Sequence, residues 1–224
     1  MPIKLVTFDV YMALLDIQGS LTPVVADALS LDTRKASAFV QLWRTKQMER
    51  AAVSNSLGLG HTPFRDCTRI GLDYTLAKHD LNIPEDAREK LVAAWDRMTP
   101  WPEACELVRA VKAKGYETAI LSNGDQDMLD AIARVFEGGF DHVLSCETAG
   151  HYKPHPDVYD LPTRVLGVAK DDVLHVAGAS GDVLGAKASG MTCYWSNRTC
   201  DRVLDPVFAP DYQGPDLTGV LNIL

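Results

Sequence analysis

Strands and helices are predicted to alternate along the second half of this 224-residue chain. Short apolar runs over 117–121, 142–145, 172–177 and 192–195 are typical of buried strands, and a helical pattern separates each run from the next. A similar run over 3–9 opens the chain. Strands that alternate with helices favour a parallel, doubly wound α/β sheet with right-handed crossovers.

The region between the first strand and this alternation shows only helical patterns. Residues 16–23 are polar and include a glycine, which predicts a loop. Apolar residues at helical spacing then predict helices over 34–53, 63–79 and 84–97. We therefore expect two domains, an α/β core of residues 1–16 and 99–224 and an all-helical insert of residues 17–98. The segment after Cys200 is predicted to be a loop-rich closing stretch.

Composition argues against several classes of partner. The 22 Lys and Arg against 30 Asp and Glu give a net charge of −8 without a basic run, which argues against nucleic acid and anionic membranes. No apolar run approaches the roughly 18 residues that span a bilayer, and no signal-peptide pattern opens the chain. Reduced thiols, and hence a cytoplasmic protein, are predicted from five widely spaced cysteines without a CxxC pair: Cys67, Cys105, Cys146, Cys193 and Cys200.

Polar side chains stand at four predicted strand ends. Asp9 ends the first strand, Ser122 and Asn123 follow the second, Lys153 lies in the loop after the third, and Asp182 lies just past the fourth. Each alone has an ordinary explanation as a turn residue or a helix N-cap. Because the carboxyl ends of parallel strands meet at one edge, we expect these groups to converge. Together they supply a nucleophile, a charge stabiliser and a possible base.

These four motifs resemble those of the haloacid dehalogenase superfamily, in order and along the whole chain. The segments that carry the resemblance are Phe8-Asp9-Val10-Tyr11-x-x-Leu14, Leu121-Ser122-Asn123-Gly124, Tyr152-Lys153-Pro154 and the loop from Gly178 to Asp182. The segment Gln41-Leu42-Trp43-Arg44-x-Lys46-Gln47-x-Glu49 resembles the first cap helix of the L-2-haloacid dehalogenase (type II) family. The resemblance implies a Rossmann-like core with a helical cap, and a homodimer built partly through the cap helices.

The same resemblance implies a reaction. Asp9 would attack C2 of a small 2-substituted carboxylic acid, and water would hydrolyse the aspartyl ester to a 2-hydroxy acid. Lys153 would stabilise and orient Asp9, and Asp182 would help to activate water. The remaining predicted site residues bind or surround the substrate. Its carboxylate would be held by Ser122 and by the backbone after Asp9, through Val10, Tyr11 and Met12. Arg44 and Asn123 would face the leaving group, and a dry pocket would be lined by Tyr11, Met48, Phe64 and Tyr159. Simpler interpretations stay open for Arg44 as a solvated cation and for Met48 and Phe64 as packing residues.

Two positions argue against a metal ion. The phosphatases of this superfamily carry a second Asp two residues after the nucleophile, where this chain has Tyr11. The first Asp of their Gly-Asp-Ser-x-x-Asp loop corresponds to Ala179. A hard cation needs several oxygen ligands, and two of the expected carboxylates are missing. We therefore predict no metal, no cofactor and no phosphatase activity.

The chain also departs from the dehalogenase pattern next to the nucleophile. Met12-Ala13 replaces Gly-Thr, and Ala177 and Ala179 stand where the family has Ser and Asn. Three hypotheses follow: a haloacid dehalogenase with an altered polar network, an L-azetidine-2-carboxylate hydrolase that displaces the amine of a strained ring, or a non-catalytic protein that binds a carboxylate. The charged residues of the predicted site are all retained, which favours the two enzymes.

Overall fold

The computed structural model describes residues 3–224, and its backbone divides into two compact units. An α/β unit extends to Leu15 and resumes at Pro100, and a helical unit spans Asp16–Thr99. These bounds differ by one residue at each end from the predicted ones. Asp16 and Thr99 belong together in the helical unit because the Asp16 N–H donates to the Thr99 carbonyl oxygen at 2.9 Å.

The helical unit contains four α-helices followed by a 3₁₀ turn at Ala94–Arg97. The helices are α1 (Ile17–Leu29), α2 (Thr33–Leu57), α3 (Phe64–Lys78) and α4 (Glu85–Ala93). The predicted loop over 16–23 is wrong, because α1 begins at Ile17, where the Asp16 carboxylate accepts the Gly19 N–H at 2.8 Å. Pro23 lies inside this helix on its exposed side, and the packing of the buried residues Leu21 and Val25 outweighs the poor helix propensity of proline.

A six-stranded parallel sheet forms the centre of the α/β unit. Its strands are β1 (Leu5–Phe8), β2 (Glu117–Ser122), β3 (His142–Ser145), β4 (Val173–Ala177), β5 (Thr192–Ser196) and β6 (Tyr212–Gly214). Their order across the sheet is β3-β2-β1-β4-β5-β6, with every neighbouring pair parallel. The predicted doubly wound α/β fold is therefore confirmed. The closing stretch after Cys200 is loop-rich, as predicted, and it also contains the three-residue strand β6, which is too short for a periodic pattern.

Six further helices belong to the same unit. They are α5 (Ala104–Ala113), α6 (Gln126–Val135), α7 (Cys146–Ala149), α8 (Pro156–Tyr159), α9 (Leu161–Leu166) and α10 (Ser180–Ala188). β1, β2 and β4 are almost completely buried, as expected for parallel strands covered on both faces. β1 lies between β2 and β4, so the carboxyl ends of these three strands are neighbours. None of the helices within residues 3–224 combines the length and the apolar character that crossing a bilayer requires.

Candidate active site

Asp9 lies at the carboxyl end of β1, where a short π-helical turn, Val10–Leu14, begins. Its N–H donates to the Val176 carbonyl oxygen on β4 at 3.0 Å, so its backbone is fixed to the sheet. Its Oδ1 accepts the Ser122 hydroxyl at 3.1 Å, and its Oδ2 accepts the Met12 N–H at 3.2 Å. Only 11% of the side chain is exposed. Asp9 is therefore an oriented, nearly dry carboxylate, the state in which a carboxylate is most nucleophilic.

The end of β2 supports Asp9 from the other side. The Ser122 hydroxyl, besides donating to Asp9, accepts the Val10 N–H at 3.2 Å. The Asn123 Oδ1 accepts the backbone N–H of Lys153 at 2.9 Å, and this bond does not use the side-chain amide nitrogen of Asn123. The sequence predicts that Ser122 and the backbone after Asp9 bind the substrate carboxylate. In the structure, Ser122 accepts the Val10 N–H, and both Ser122 and the Met12 N–H donate to Asp9.

Lys153 lies between two buried carboxylates. Its Nζ is 3.4 Å from Asp9 Oδ1 and 2.9 Å from Asp182 Oδ1, and only 5% of its side chain is exposed. Burial alone would lower the pKa of Lys153, but the carboxylates of Asp182 and Asp9 outweigh it and raise that pKa above its usual value. The ammonium group therefore stays charged at neutral pH and links the two acids.

Asp182 lies in the first turn of α10, whose N-cap is Ala179, so Asp182 is not the helix cap. Its Oδ1 accepts the Tyr159 hydroxyl at 2.8 Å, and its Oδ2 lies 3.0 Å from the Nε2 of His175. Burial alone would raise the pKa of Asp182, but Lys153 and His175 hold it well below its usual range. Burial and the neighbouring Asp182 charge also raise the pKa of Tyr159, which keeps its hydroxyl a donor.

His175 is a site residue that the sequence interpretation did not identify. It is fully buried on β4, with Nδ1 2.8 Å from the Thr7 hydroxyl oxygen and Nε2 3.3 Å from Lys153 Nζ. Thr7 is its register partner on β1. The available signal was a histidine in the middle of an otherwise apolar strand, together with a threonine in the first strand. That signal acquires meaning only once β1 and β4 are known to be neighbours.

Arg44 is tethered within the helical unit. Its Nη1 donates to the Gln47 Oε1 at 2.6 Å, and its guanidinium lies 5.7 Å from the centroid of the Trp95 ring. Gln47 is itself buried and donates to the Thr68 hydroxyl at 2.6 Å. These contacts disfavour the simpler interpretation of Arg44 as a freely solvated cation.

The predicted pocket-lining residues differ in burial. Tyr11, Phe64 and Tyr159 are buried, whereas Met12 and Met48 are half-buried. Tyr159 is also a hydrogen-bond donor to Asp182, which an apolar lining role did not anticipate. Of the predicted site residues, the structure brings Asp9, Ser122, Asn123, Lys153, Asp182 and Tyr159 together in the α/β unit, and Arg44, Met48 and Phe64 lie in the helical unit.

Gly178 brings the turn after β4 into direct contact with the turn after β1. A Cβ atom at Gly178 would lie 2.2 Å from the Met12 carbonyl carbon and 2.3 Å from the Ala13 nitrogen, so only glycine fits. Ala177 and Ala179 flank this glycine in the chain. The Met12 N–H, which Asp9 accepts, is therefore held in place by backbone packing.

The donor set around Asp9 suits an ammonium group better than a metal ion. Ala179 offers no ligand atom, Tyr11 is a buried phenol, and Lys153 lies between Asp9 and Asp182. Elsewhere in the described part of the chain, His151, His155 and Asp157 have ligand atoms within 4.8 Å of one another. The two imidazole rings there are stacked 3.7 Å apart and within 6° of parallel. The lone pairs of their nitrogens therefore lie in two parallel planes and do not converge on one ion.

Comparison with known proteins identifies the family. A family model described as haloacid dehalogenase-like hydrolase matches residues 3–190. Haloacetate dehalogenase H-2 of Moraxella sp. (strain B) is 30% identical over 225 residues, which cover 99% of this chain and 98% of that relative. The (S)-2-haloacid dehalogenase of Pseudomonas sp. (strain YL) is 31% identical over 223 residues, which cover 99% of this chain and 94% of that relative.

Solved structures agree with these sequence matches. The L-2-haloacid dehalogenase of Xanthobacter autotrophicus superposes with a TM-score of 0.85 at 29% identity, covering 99% of this chain and 98% of that one. A structure of the same enzyme with chloropropionic acid covalently bound gives a TM-score of 0.84 at 29% identity, with the same coverage. The chain therefore belongs to the haloacid dehalogenase-like hydrolase family.

Proposed function

We propose that this protein is a hydrolase that displaces the halide at C2 of a small (S)-2-haloacid through a covalent ester on Asp9. One observation carries the proposal. The Asp9 carboxylate is held by Ser122 and Met12 beside a buried Lys153–Asp182 ion pair, in a chain that matches haloacid dehalogenases over 99% of its length. A relative at 29% identity with chloropropionic acid covalently bound supports a covalent intermediate.

In the first step, a carboxylate oxygen of Asp9 attacks C2, the bond from C2 to the halogen breaks, and halide leaves with its electron pair. The configuration at C2 inverts. Lys153 lies 3.4 Å from Asp9 and orients it, and only 11% of the Asp9 side chain is exposed, so bulk water solvates this nucleophile little. To hold the substrate carboxylate, the Ser122 hydroxyl and the backbone N–H groups of Val10 and Met12 would have to exchange their present partners, Asp9 and Ser122, for the substrate.

In the second step, water attacks the carbonyl carbon of the Asp9 ester. The acyl–oxygen bond breaks, the 2-hydroxy acid leaves with an oxygen that came from Asp9, and one proton is released to solvent. Asp182 is assigned to orient and polarise the attacking water, since it is a buried carboxylate linked to Asp9 through Lys153. Two displacements, each with a good nucleophile or leaving group, replace one difficult hydrolysis.

The helical unit is proposed to act as the cap, with Arg44 binding the departing halide. Support comes from the family resemblance of the Arg44 helix and from the contacts that tether this guanidinium to Gln47 and Trp95. Met48 and Phe64 are assigned to the apolar surroundings of the substrate on the same basis. The site is proposed to work without a metal or another cofactor.

A second candidate, opening of L-azetidine-2-carboxylate, is favoured by the residues around Gly178. Met12, Ala13, Ala177 and Ala179 replace more polar or smaller residues of the dehalogenase pattern at one contact. Attack at C2 would break the C2–N bond of the ring, and the amine, protonated beforehand, would leave as a neutral group still attached to the product. Ring strain would compensate for the poorer leaving group.

One pair of assays separates these functions. We expect chloride release from L-2-chloropropionate and no consumption of azetidine-2-carboxylate, with turnover unchanged in excess EDTA because the site offers few oxygen ligands. Consumption of azetidine-2-carboxylate alone would replace the main proposal with the second. Thermal stabilisation by either acid without product would instead indicate a binding protein. Activity that is lost in EDTA and restored by Mg²⁺ would contradict the metal-free site.

We also propose that the protein is a homodimer formed through α2 and α3. These helices expose four large apolar residues, each 43–48% exposed: Val53, Leu57, Ile70 and Tyr74. An exposed apolar surface of this kind is typical of an interface, and a second copy suits it because the family resemblance implies a homodimer built partly through the cap helices. Lys46, Glu49 and Arg50 line the same groove as Val53, Ile70 and Tyr74, so this surface carries charged as well as apolar side chains.

Replacement of Ile70 by Glu is expected to convert this dimer to a monomer, because each subunit would bury a charge at the interface. Light scattering after size-exclusion chromatography measures the mass. Val165→Glu is the matched control, since Val165 is 52% exposed on α9 in the other unit and should leave the dimer intact. A monomeric wild-type protein at micromolar concentration would contradict the proposal.

A cytoplasmic location is proposed from the thiols. None of the five cysteines forms a disulfide within residues 3–224, and burial raises the pKa of Cys146 to about 12, so this thiol is inert. Five cysteines without a disulfide suit a reducing compartment. The net charge of −8 on the protein argues against nucleic acid and a membrane as partners, so a small carboxylic acid remains the proposed ligand.

A further inference from the structure

We propose that Thr7 and His175 form a buried positioning pair that holds the Asp182 carboxylate for hydrolysis of the covalent ester. The inference rests on the proposed function, because it assigns a role within that reaction. His175 does not contact the substrate side of Asp9 in the described hydrogen bonds, and its partners are Thr7, Asp182 and Lys153. It is therefore a positioning residue and not a catalytic one.

The contacts of the His175 ring determine which nitrogen carries a hydrogen. Nε2 lies 3.0 Å from Asp182 Oδ2, which can only accept, and 3.3 Å from Lys153 Nζ, which can only donate. Because the contact with Asp182 is the shorter one, we assign a hydrogen to Nε2. A ring protonated only at Nδ1 would place two lone pairs against each other at that distance. The Thr7 hydroxyl, 2.8 Å from Nδ1, can donate to a neutral ring or accept from a charged one. In both states Nε2–H donates to Asp182.

Charged and titratable groups face His175 from several elements. Asp182 approaches from α10, Lys153 from the loop after β3, and Tyr159 from α8, with its ring edge-on and the two centroids 6.0 Å apart. The register partner on β5 is Cys193, a thiol whose pKa burial raises far above its usual value. Two carboxylates and one ammonium group in this cluster sum to −1, so a donor on His175 stabilises the excess negative charge.

The local sequence shows why a histidine is useful here. Ala177 and Ala179, the residues before α10 that the dehalogenase pattern fills with Ser and Asn, have no side-chain donor. His175 precedes Ala177 by two positions on β4, so the two side chains share a face of the sheet. The imidazole of His175 thus supplies Asp182 with a donor that the alanines cannot. The Thr7 hydroxyl on β1 contacts the other ring nitrogen of His175, Nδ1, at 2.8 Å and fixes the orientation of the ring.

The different supports of the two acids favour a role in one step. Asp9 is held by Ser122, Met12 and Lys153, so His175 reaches Asp9 only indirectly, through the 3.3 Å contact of its Nε2 with Lys153 Nζ, whereas its 3.0 Å contact with Asp182 is direct. Loss of His175 should therefore leave ester formation nearly unchanged and slow only the attack of water. A purely structural role would slow both steps together.

The test compares His175→Leu with His175→Gln during the first turnover of L-2-chloropropionate. Halide release and intact-protein mass follow ester formation and hydrolysis separately. We expect His175→Leu to release one halide per site at close to the wild-type rate, to accumulate the Asp9 ester, and to lower kcat about 10- to 100-fold with a fall in KM. His175→Gln, whose amide can donate to Asp182, should recover most of kcat. Equal slowing of both steps, or an unchanged kcat in His175→Leu, overturns the inference.

Two further measurements cover the remaining outcomes. Thr7→Val should slow hydrolysis in the same direction but less, which keeps the test decisive if His175→Leu does not fold. In the wild-type protein, ¹⁵N NMR of the buried imidazole should show a protonated Nε2, and an unprotonated Nε2 overturns the pair without reference to any substrate. A wild-type protein that forms no ester and turns over no 2-haloacid overturns the proposed function and this role with it, whereas normal wild-type turnover confines a failure to His175.

Discussion

Replacement of Asp9 by Asn is expected to abolish turnover of any accepted 2-substituted acid, by about 10⁴-fold or more. The amide of Asn is nearly the same size as the carboxylate, its oxygen can still accept the Met12 N–H, and its NH2 group can donate to the Ser122 hydroxyl oxygen, so the turn after β1 should stay folded. What it lacks is the negative charge that attacks C2, and no other carboxylate shares the position of Asp9 at the end of β1. Steady-state halide release measures the loss.

The matched control for this variant is Asp172→Asn. Asp172 is also a buried carboxylate, 6% exposed, but it precedes β4 at the opposite edge of the sheet and pairs with Lys4. We expect it to lose some stability and to retain kcat.

In the wild-type protein, a single turnover in H₂¹⁸O should place one ¹⁸O atom in the peptide that contains Asp9 and none in the product. Label found in the product after one turnover would mean that water attacks C2 directly.

Replacement of Lys153 by Met is expected to remove activity and to destabilise the protein by about 3–5 kcal/mol at pH 7. The methionine fills the space of the lysine stem, but Asp9 and Asp182 lose the buried ammonium group that lies between them. Removing one partner of a buried ion pair leaves an uncompensated charge, and this carries the largest cost. Urea unfolding measures the free energy, and halide release measures the activity.

The pH dependence of this variant gives a sharper expectation. In the wild-type protein the pKa of Asp182 is lowered and that of Lys153 is raised, so their contribution to stability is constant between about pH 5 and pH 9. Without Lys153, burial should raise the pKa of Asp182 above its unfolded value of about 4. Such a group contributes stability at low pH and loses it as pH rises, so Lys153→Met should unfold more easily at pH 7 than at pH 5.

Lys187→Met is the control for the lysine. Lys187 binds Asp211 at 2.7 Å on the surface of the same unit, where an ion pair contributes at most about 1 kcal/mol. We expect kcat and the pH profile of unfolding to stay at wild-type values. If Lys153→Met resembled this control, the buried ion pair would not hold the site together.

The residues at the strand ends could be predicted because their signals are local. Asp9, Ser122, Lys153 and Asp182 each follow an apolar run, and the alternation of strands and helices alone implies that the ends of such runs meet at one edge. Their hydrogen bonds could not be predicted in the same way. The donation of the Ser122 hydroxyl to Asp9 depends on side-chain directions that no periodic pattern specifies.

The errors have physical causes of the same kind. α1 was missed because Pro23 and a polar composition outweighed the apolar positions that packing buries. β6 was not distinguished within the loop-rich closing stretch because it has only three residues and begins with the exposed Tyr212. His175 was missed because its partner Thr7 is 168 residues away in the chain and is brought opposite it only by the pairing of β1 with β4.

The contact of Gly178 with the backbone of Met12 and Ala13 has a consequence for engineering this site. Ala177 and Ala179 flank this glycine in the chain, so four positions that were predicted to depart from the dehalogenase pattern lie in or beside one contact. Substitutions at residues in contact are in general not energetically independent. We therefore expect changes at these four positions to be coupled, so that the cost of one depends on the residues at the others. An attempt to exchange specificity with a relative would have to graft both turns at once.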